Sequence, residues 1–76
     1  MREFIEYIAK HLVDQPDSVV LEEETKDDKL VLKLKVAQGD VGKIIGRNGR
    51  TAQALRVLLN AVAAKEKKRA ILEVVD

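Results

Sequence analysis

The sequence predicts an α+β domain of order αββααβ, in which helices cover one face of a three-stranded sheet. Three patterns carry this. Phe4, Ile5, Ile8 and Leu12 recur at helical spacing near the start. Leu30, Leu32, Leu34 and Val36 alternate with Lys29, Val31, Lys33 and Lys35, the period of a half-buried strand. Two glycines three apart, Gly46 and Gly49, separate a short apolar helix from a long one.

The first helix sets Glu3, Glu6 and Lys10 opposite its apolar stripe and ends before Pro16, because the residue preceding a proline avoids helical geometry. Val19, Val20 and Leu21 open a strand that runs into Glu22, Glu23 and Glu24, and Lys26-Asp27-Asp28 reads as a turn. The alternating stretch then pairs with the first strand as a hairpin, which sets Lys33 and Lys35 across from the outward glutamates. Gln38-Gly39-Asp40 breaks the strand, and Asp40 is expected to cap a short helix over Val41 to Ile45. A long helix follows from about Thr51 to Lys65, built mostly of Ala, Leu, Arg and Gln. Lys65 to Lys68 forms a charged connection into a last strand, Arg69 to Val75.

A chain of 76 residues is one domain, spanning residues 1–76. Its 46% apolar content, nearly all aliphatic, rules against disorder despite 36% charged residues. With no cysteine, neither a disulfide nor a thiolate metal site can staple it. No segment reads as a signal peptide, since acids interrupt the apolar stretch at the N-terminus, and no apolar run is long enough to span a bilayer. A cytoplasmic protein is the resulting expectation. The net charge of +1 hides an asymmetry: residues 1–40 carry six Lys and Arg against ten Asp and Glu, whereas residues 41–76 carry eight against three. A basic half suits an anionic partner, although charge alone fits a solvated surface equally well.

The glycine pair is the most informative feature. Glycine permits positive φ and close approach of another backbone. The loop also leads into a helix N-terminus, whose free N–H groups and partial positive charge suit phosphate. Lys43, Arg47, Arg50 and Arg56 cluster around it in sequence. Spacing alone also allows a helix–turn–helix corner with no ligand. Other phosphate motifs fail: Gly42-Lys43 is followed by Ile44 rather than Ser or Thr, and no G-x-G occurs for a dinucleotide fingerprint. The soluble context and Lys43 exclude the membrane meaning of Gly42 to Gly46 as G-x-x-x-G. The single histidine, His11, lies beside the first-helix stripe and has no catalytic company. The carboxylates of Glu22 to Glu24 and of Asp27-Asp28 have no nucleophile or metal ligand to work with. Neither an enzyme nor a cofactor site is indicated.

The run Val41-Gly42-Lys43-Ile44-Ile45-Gly46-Arg47-Asn48-Gly49-Arg50-Thr51 resembles the signature of KH domains, an Ile-Gly-x-x-Gly core between two helices. The order αββααβ resembles the type II, bacterial arrangement. Size and the stretch Ile45 through Arg56 are similar to the KhpA family of small single-KH proteins, and the likeness covers essentially the whole chain. The resemblance implies single-stranded RNA binding, with an RNA chaperone or post-transcriptional regulatory role. It implies that Gly46 and Gly49 let the nucleic-acid backbone approach, that Arg47 and Asn48 contact phosphate or sugar, and that Ile44 or Ile45 lines an apolar groove. It makes the basic loop from Lys65 to Arg69, with Lys65, Lys67 and Lys68, the groove's other wall. Many such motifs carry a large aliphatic residue where this chain has Ala52, which predicts a shallower groove or core there. The only aromatics, Phe4 and Tyr7, lie on the first helix, so no stacking platform is expected and a single domain should bind weakly and with little sequence preference.

Two other readings compete. Nothing in the motif reads a 2′-hydroxyl, so single-stranded DNA is one. A protein-interaction module with little nucleic-acid binding is the other. In the long helix, Ala52, Leu55, Val57, Leu58, Leu59, Ala61, Val62 and Ala64 cover roughly 240° at 100° per residue, far more than one core contact needs. Val57, Ala61 and Ala64 lie at one end of that arc, with Leu58 nearer its core-facing centre. The family resemblance likewise implies a homodimer and a larger KhpB-like partner.

Overall fold

The computed structural model describes residues 2–75; Met1 and Asp76, the ends of the expected domain, lie outside the described residues. Helix α1 spans Arg2–Leu12, strand β1 Val20–Lys26, strand β2 Lys29–Lys35, helix α2 Val41–Ile45, helix α3 Arg50–Lys65 and strand β3 Arg69–Val75. The order αββααβ and the α+β class are those the sequence predicts. Short 3-10 turns at Pro16–Ser18, Gln38–Asp40 and Arg47–Gly49 complete the path, and periodicity gave no sign of them.

The strands lie in the order β1-β2-β3. β1 and β2 are antiparallel, with Glu22 opposite Lys33 and Lys26 opposite Lys29. Asp27 and Asp28 close the hairpin at φ of 46° and 67°, the two positive values that a two-residue turn matched to strand twist requires. Aspartate tolerates that region because its short polar side chain can bond locally. β3 joins the other side of β2 in parallel, so the sheet is mixed.

Alternating residues of β2 and β3, with Leu21 of β1, enter one core. Leu21, Leu32, Leu34, Ala70 and Leu72 meet Ile5 and Ala9 of α1, Ile44 of α2, and Leu55, Leu59 and Ala63 of α3. Leu32 and Leu34 are wholly buried, which stabilises the fold by about 1.5–3 kcal/mol for each side chain. In α1 the buried contacts come from Ile5 and Ala9, while Phe4 and Leu12 sit at the edge of the stripe and remain exposed. On the outer sheet face Lys33 reaches Glu24 at 3.3 Å and Lys35 reaches Glu22 at 3.6 Å. The cross-strand pairing is therefore diagonal rather than directly opposite.

Helix α3 corrects one expectation. Ala52, Leu55, Leu59 and Ala63 face the core, but Leu58 is 43% exposed and Val57 57% exposed. The surplus apolar surface is thus the side of α3 turned away from the sheet, and Leu58 belongs to it. Ala52, in the first turn of α3, is itself buried.

Candidate nucleic-acid interface

Helices α2 and α3 meet at a corner, and residues 46–49 make the turn. Ile44 is completely buried and anchors α2 to the core, so it does not line an open groove. Ile45 turns outward and is 39% exposed. A five-residue helix is too short for its apolar pattern to tell these neighbours apart.

The two glycines have different reasons. Gly46 has φ 73° and ψ 175°, a region essentially reserved for glycine. A Cβ there would lie 2.7 Å from the Thr51 Cβ and 2.9 Å from the Thr51 backbone nitrogen. The fold itself demands Gly46, whatever binds. Gly49 is left-handed, with φ 74° and ψ 12°, and among the described residues none beyond its chain neighbours stands within 4 Å of where its side chain would be. Here the missing side chain leaves open space beside the loop. Between them Arg47 and Asn48 are exposed, and Asn48 is also left-handed, at φ 56°. Among the described residues no side chain caps the start of α3, so the positive end of its dipole opens onto the loop.

The basic residues do not form one cluster. Arg47 and Arg50 stand at the loop, exposed. The Lys43 ammonium is committed elsewhere: it donates to the Asp14 carboxylate and lies 3.5 Å from that of Asp40. Its pKa is raised chiefly by that bond to Asp14, so two carboxylates of the helix junction share the Lys43 ammonium. Arg56 extends from α3 across to edge strand β3, where its Nε donates to the Leu72 carbonyl at 3.4 Å. Lys65 ends α3, and Lys67 and Lys68 lie in the turn beyond it, all exposed. Sixteen helical residues, about 24 Å, separate them from the glycine loop. The turn is tight: Lys68 N–H bonds the Ala63 carbonyl at 2.9 Å and Lys67 N–H the Ala64 carbonyl at 3.0 Å. Lys67 takes the left-handed position that glycine usually fills in such a helix stop.

Sequence reasoning missed two supports of the loop. Asp40 does not cap α2 with its side chain. It is buried, and its carboxylate accepts the Gln15 backbone N–H at 3.1 Å, tying α2 to the segment after α1. Burial pushes this carboxyl up, but the Asp14 and Gln15 backbone N–H groups and the Lys43 ammonium outweigh burial and hold it below its ordinary value. A depressed carboxyl contributes its stability above the ordinary aspartate range and loses it only in acid, so the anchor is charged at neutral pH. The other is Thr51, whose Cβ and backbone nitrogen fill the space that a side chain at position 46 would need. Asp40 lies 25 residues from Gln15, and no local pattern signals such a bond. The β-branched residue two positions after the second glycine was the available hint for Thr51.

A GxxG corner between two helices, beside a mixed three-stranded sheet in the order αββααβ, defines a type II KH domain. A sequence model of the family described as KhpA/KhpB, KH domain, matches residues 2–74. The RNA-binding protein KhpA of Clostridium acetobutylicum is 47% identical over 99% of this chain and 100% of its own. Its counterpart in Borreliella burgdorferi is 51% identical over 97% of this chain and 90% of its own. The chain belongs to the KhpA/KhpB family of KH-domain proteins. Its fold also superposes on crystal structures of Era, one of the Aquifex aeolicus protein with GDP and AlF4−, another in complex with MgGDPNP and nucleotides 1506–1542 of 16S ribosomal RNA. Each match has a TM-score of 0.59 at 19% identity and covers 96% of this chain, which spans 28% of the Era chain. At that identity the likeness concerns the fold alone.

Proposed function

We propose that this protein binds single-stranded RNA by holding the backbone in the loop Gly46-Arg47-Asn48-Gly49, and so acts as an RNA chaperone or post-transcriptional regulator. One observation carries the reading. Arg47 and Asn48 project from the surface with no side-chain hydrogen bond or ion pair among the described residues, beside an uncapped helix N-terminus. A guanidinium and an amide left unspent next to a positive dipole suit a phosphate and a ribose. The relatives' name, RNA-binding protein KhpA, supports the same class of ligand. Gly49 leaves room for the backbone, Ile45 offers an apolar contact, and Arg50 and Arg56 continue the basic edge along α3. Phe4 and Tyr7 lie on α1, so bases gain no aromatic stack at the loop and one domain binds weakly.

Titration of a labelled single-stranded RNA at several salt concentrations tests this. Contacts to three or four phosphates give a slope of log K against log salt of about −2 to −3. No binding at low salt and high protein concentration would refute the proposal, and a DNA oligomer of the same sequence distinguishes the two nucleic acids.

The protein is further proposed to work as a pair, with itself or with a KhpB-like KH protein. The supporting observation is the outward side of α3, where Val57 and Leu58 are exposed together with Ala61 and Ala64. Covering that stripe adds apolar burial that a small domain otherwise lacks. Sedimentation is expected to give a dimer for the wild-type protein and a folded monomer for Val57→Glu, since Val57 makes no core contact to lose. A wild-type monomer at high concentration excludes self-association, and an unaffected dimer moves the interface elsewhere.

A further inference from the structure

The outer face of the sheet, the face without helices, ends in a row of three cations. Leu21, Leu32 and Leu72 point into the core, so by alternation Lys26, Lys29 and Arg69 point outward. The register sets Lys26 opposite Lys29, and Lys29 opposite Arg69, so the three stand side by side across all three strands. Like charges directly opposite one another destabilise a sheet. One carboxylate reaches the row: Glu24 lies 3.7 Å from Lys26 and shares itself with Lys33 at 3.3 Å. Lys29 and Arg69 have no ion pair among the described residues. The chain therefore aligns three positive charges, two of them without an ion pair among the described residues.

The row also continues the basic edge already described. Arg69 directly follows Lys67 and Lys68, and Lys29 lines a depression of about 730 Å³ together with those two lysines. Arg2 and the acids Glu3, Glu23, Asp28 and Glu66 line the same depression, so its charges balance and it offers an anion less than the row does. Along the rim the basic residues follow one another from Lys68 to Arg69, Lys29 and Lys26.

We infer that this row is a second contact for the RNA backbone, taking the phosphates of a strand that leaves the α3–β3 edge and turns onto the open face of the sheet. The inference rests on the RNA-binding reading of the loop and adds a length dependence to it: RNA that only fills the loop ignores the row, and longer RNA uses it. Neighbouring strands lie about 4.8 Å apart, so the three cations span about 10 Å, room for about two phosphates.

The test compares wild type, Lys29→Gln/Arg69→Gln and Arg47→Asp/Asn48→Asp on two RNAs. One has about four nucleotides, the length a GxxG loop clamps. The other is about three times as long. The Lys29→Gln/Arg69→Gln variant is expected to bind the long RNA about tenfold more weakly, with a salt slope shallower by about 1.4, the share of two phosphates. Its affinity for the short RNA and its thermal midpoint should stay level or rise. Equal loss on both lengths, or no loss on either, overturns the proposal. A variant that keeps both RNA affinities but loses a poly-glutamate probe assigns the row to an acidic protein and equally overturns it. The loop variant separates this outcome from failure of the loop reading: if it leaves the short RNA bound as before, the loop is at fault and not the row.

Discussion

Replacing Arg47 and Asn48 together with Asp is expected to weaken single-stranded RNA binding by well over tenfold while leaving the domain folded. The exchange adds two negative charges and removes one positive charge where phosphate would sit. Each lost charge-assisted hydrogen bond is worth about 1–3 kcal/mol, before repulsion is added. Neither side chain contributes to the core, and both are exposed. Backbone geometry favours this pair of substitutions in particular. Asn48 sits at φ 56°, which aspartate accepts and a β-branched residue does not. Acids at the start of α3 also interact favourably with its dipole. RNA affinity, thermal midpoint and oligomeric state should be measured on the same protein. Unchanged affinity in an intact fold would make the loop a structural corner and leave dimerisation as the function of the domain.

The two glycines of the loop should respond unequally to alanine. At Gly46, alanine meets both a backbone region closed to it and the body of Thr51, so a loss of about 3 kcal/mol or more is expected. That is a large part of the stability of so small a domain, about 4–11 kcal/mol at the usual density per residue. At Gly49 the space is open and only left-handed strain remains, about 1–2 kcal/mol. Chemical denaturation of Gly46→Ala, Gly49→Ala and Gly46→Ala/Thr51→Ala reads the difference. The third variant removes the Thr51 hydroxyl but keeps its Cβ and backbone nitrogen, so it should recover only a small part of the steric loss and none of the torsional part. Equal losses at the two glycines would mean that Thr51 does not hold the corner. A loss of RNA binding in Gly46→Ala is accordingly no measure of contact with RNA, whereas in Gly49→Ala it is.

How far the sequence was legible follows from the range of the interactions involved. The hairpin could be read because alternation is local: Lys29 to Val36 carry their own period, and burial of Leu32 and Leu34 follows it. The loop could be read because Gly46 and Gly49 act on their own backbone. Lys43 could not, because its partners Asp14 and Asp40 are chosen by the packing of α2 against the segment after α1. The same packing takes Asp40 from the cap it was expected to form. Leu58 was misplaced because an apolar arc of 240° has no unique centre, and only the position of the sheet selects which part is core. The row on the outer face lay unread because it exists only once β1, β2 and β3 are in register.

The mixed sheet also fixes an order of assembly. The two strands of the hairpin find each other across the two residues Asp27 and Asp28, whereas every partner of β2 on its other side lies forty positions further along, from Lys29 with Arg69 to Lys35 with Val75. Closing that longer loop costs more chain entropy, and pairings of this kind form slowly. The glycine corner lies within the forty residues. Its supports are core contacts of α2 and α3, and Ala70 and Leu72 of β3 complete that core. A chain emerging from the ribosome therefore has both strands of the hairpin well before it can complete the loop. Until its last strand arrives, β2 shows a bare edge to its neighbours, and the affinity of the molecule for its ligand has yet to be built.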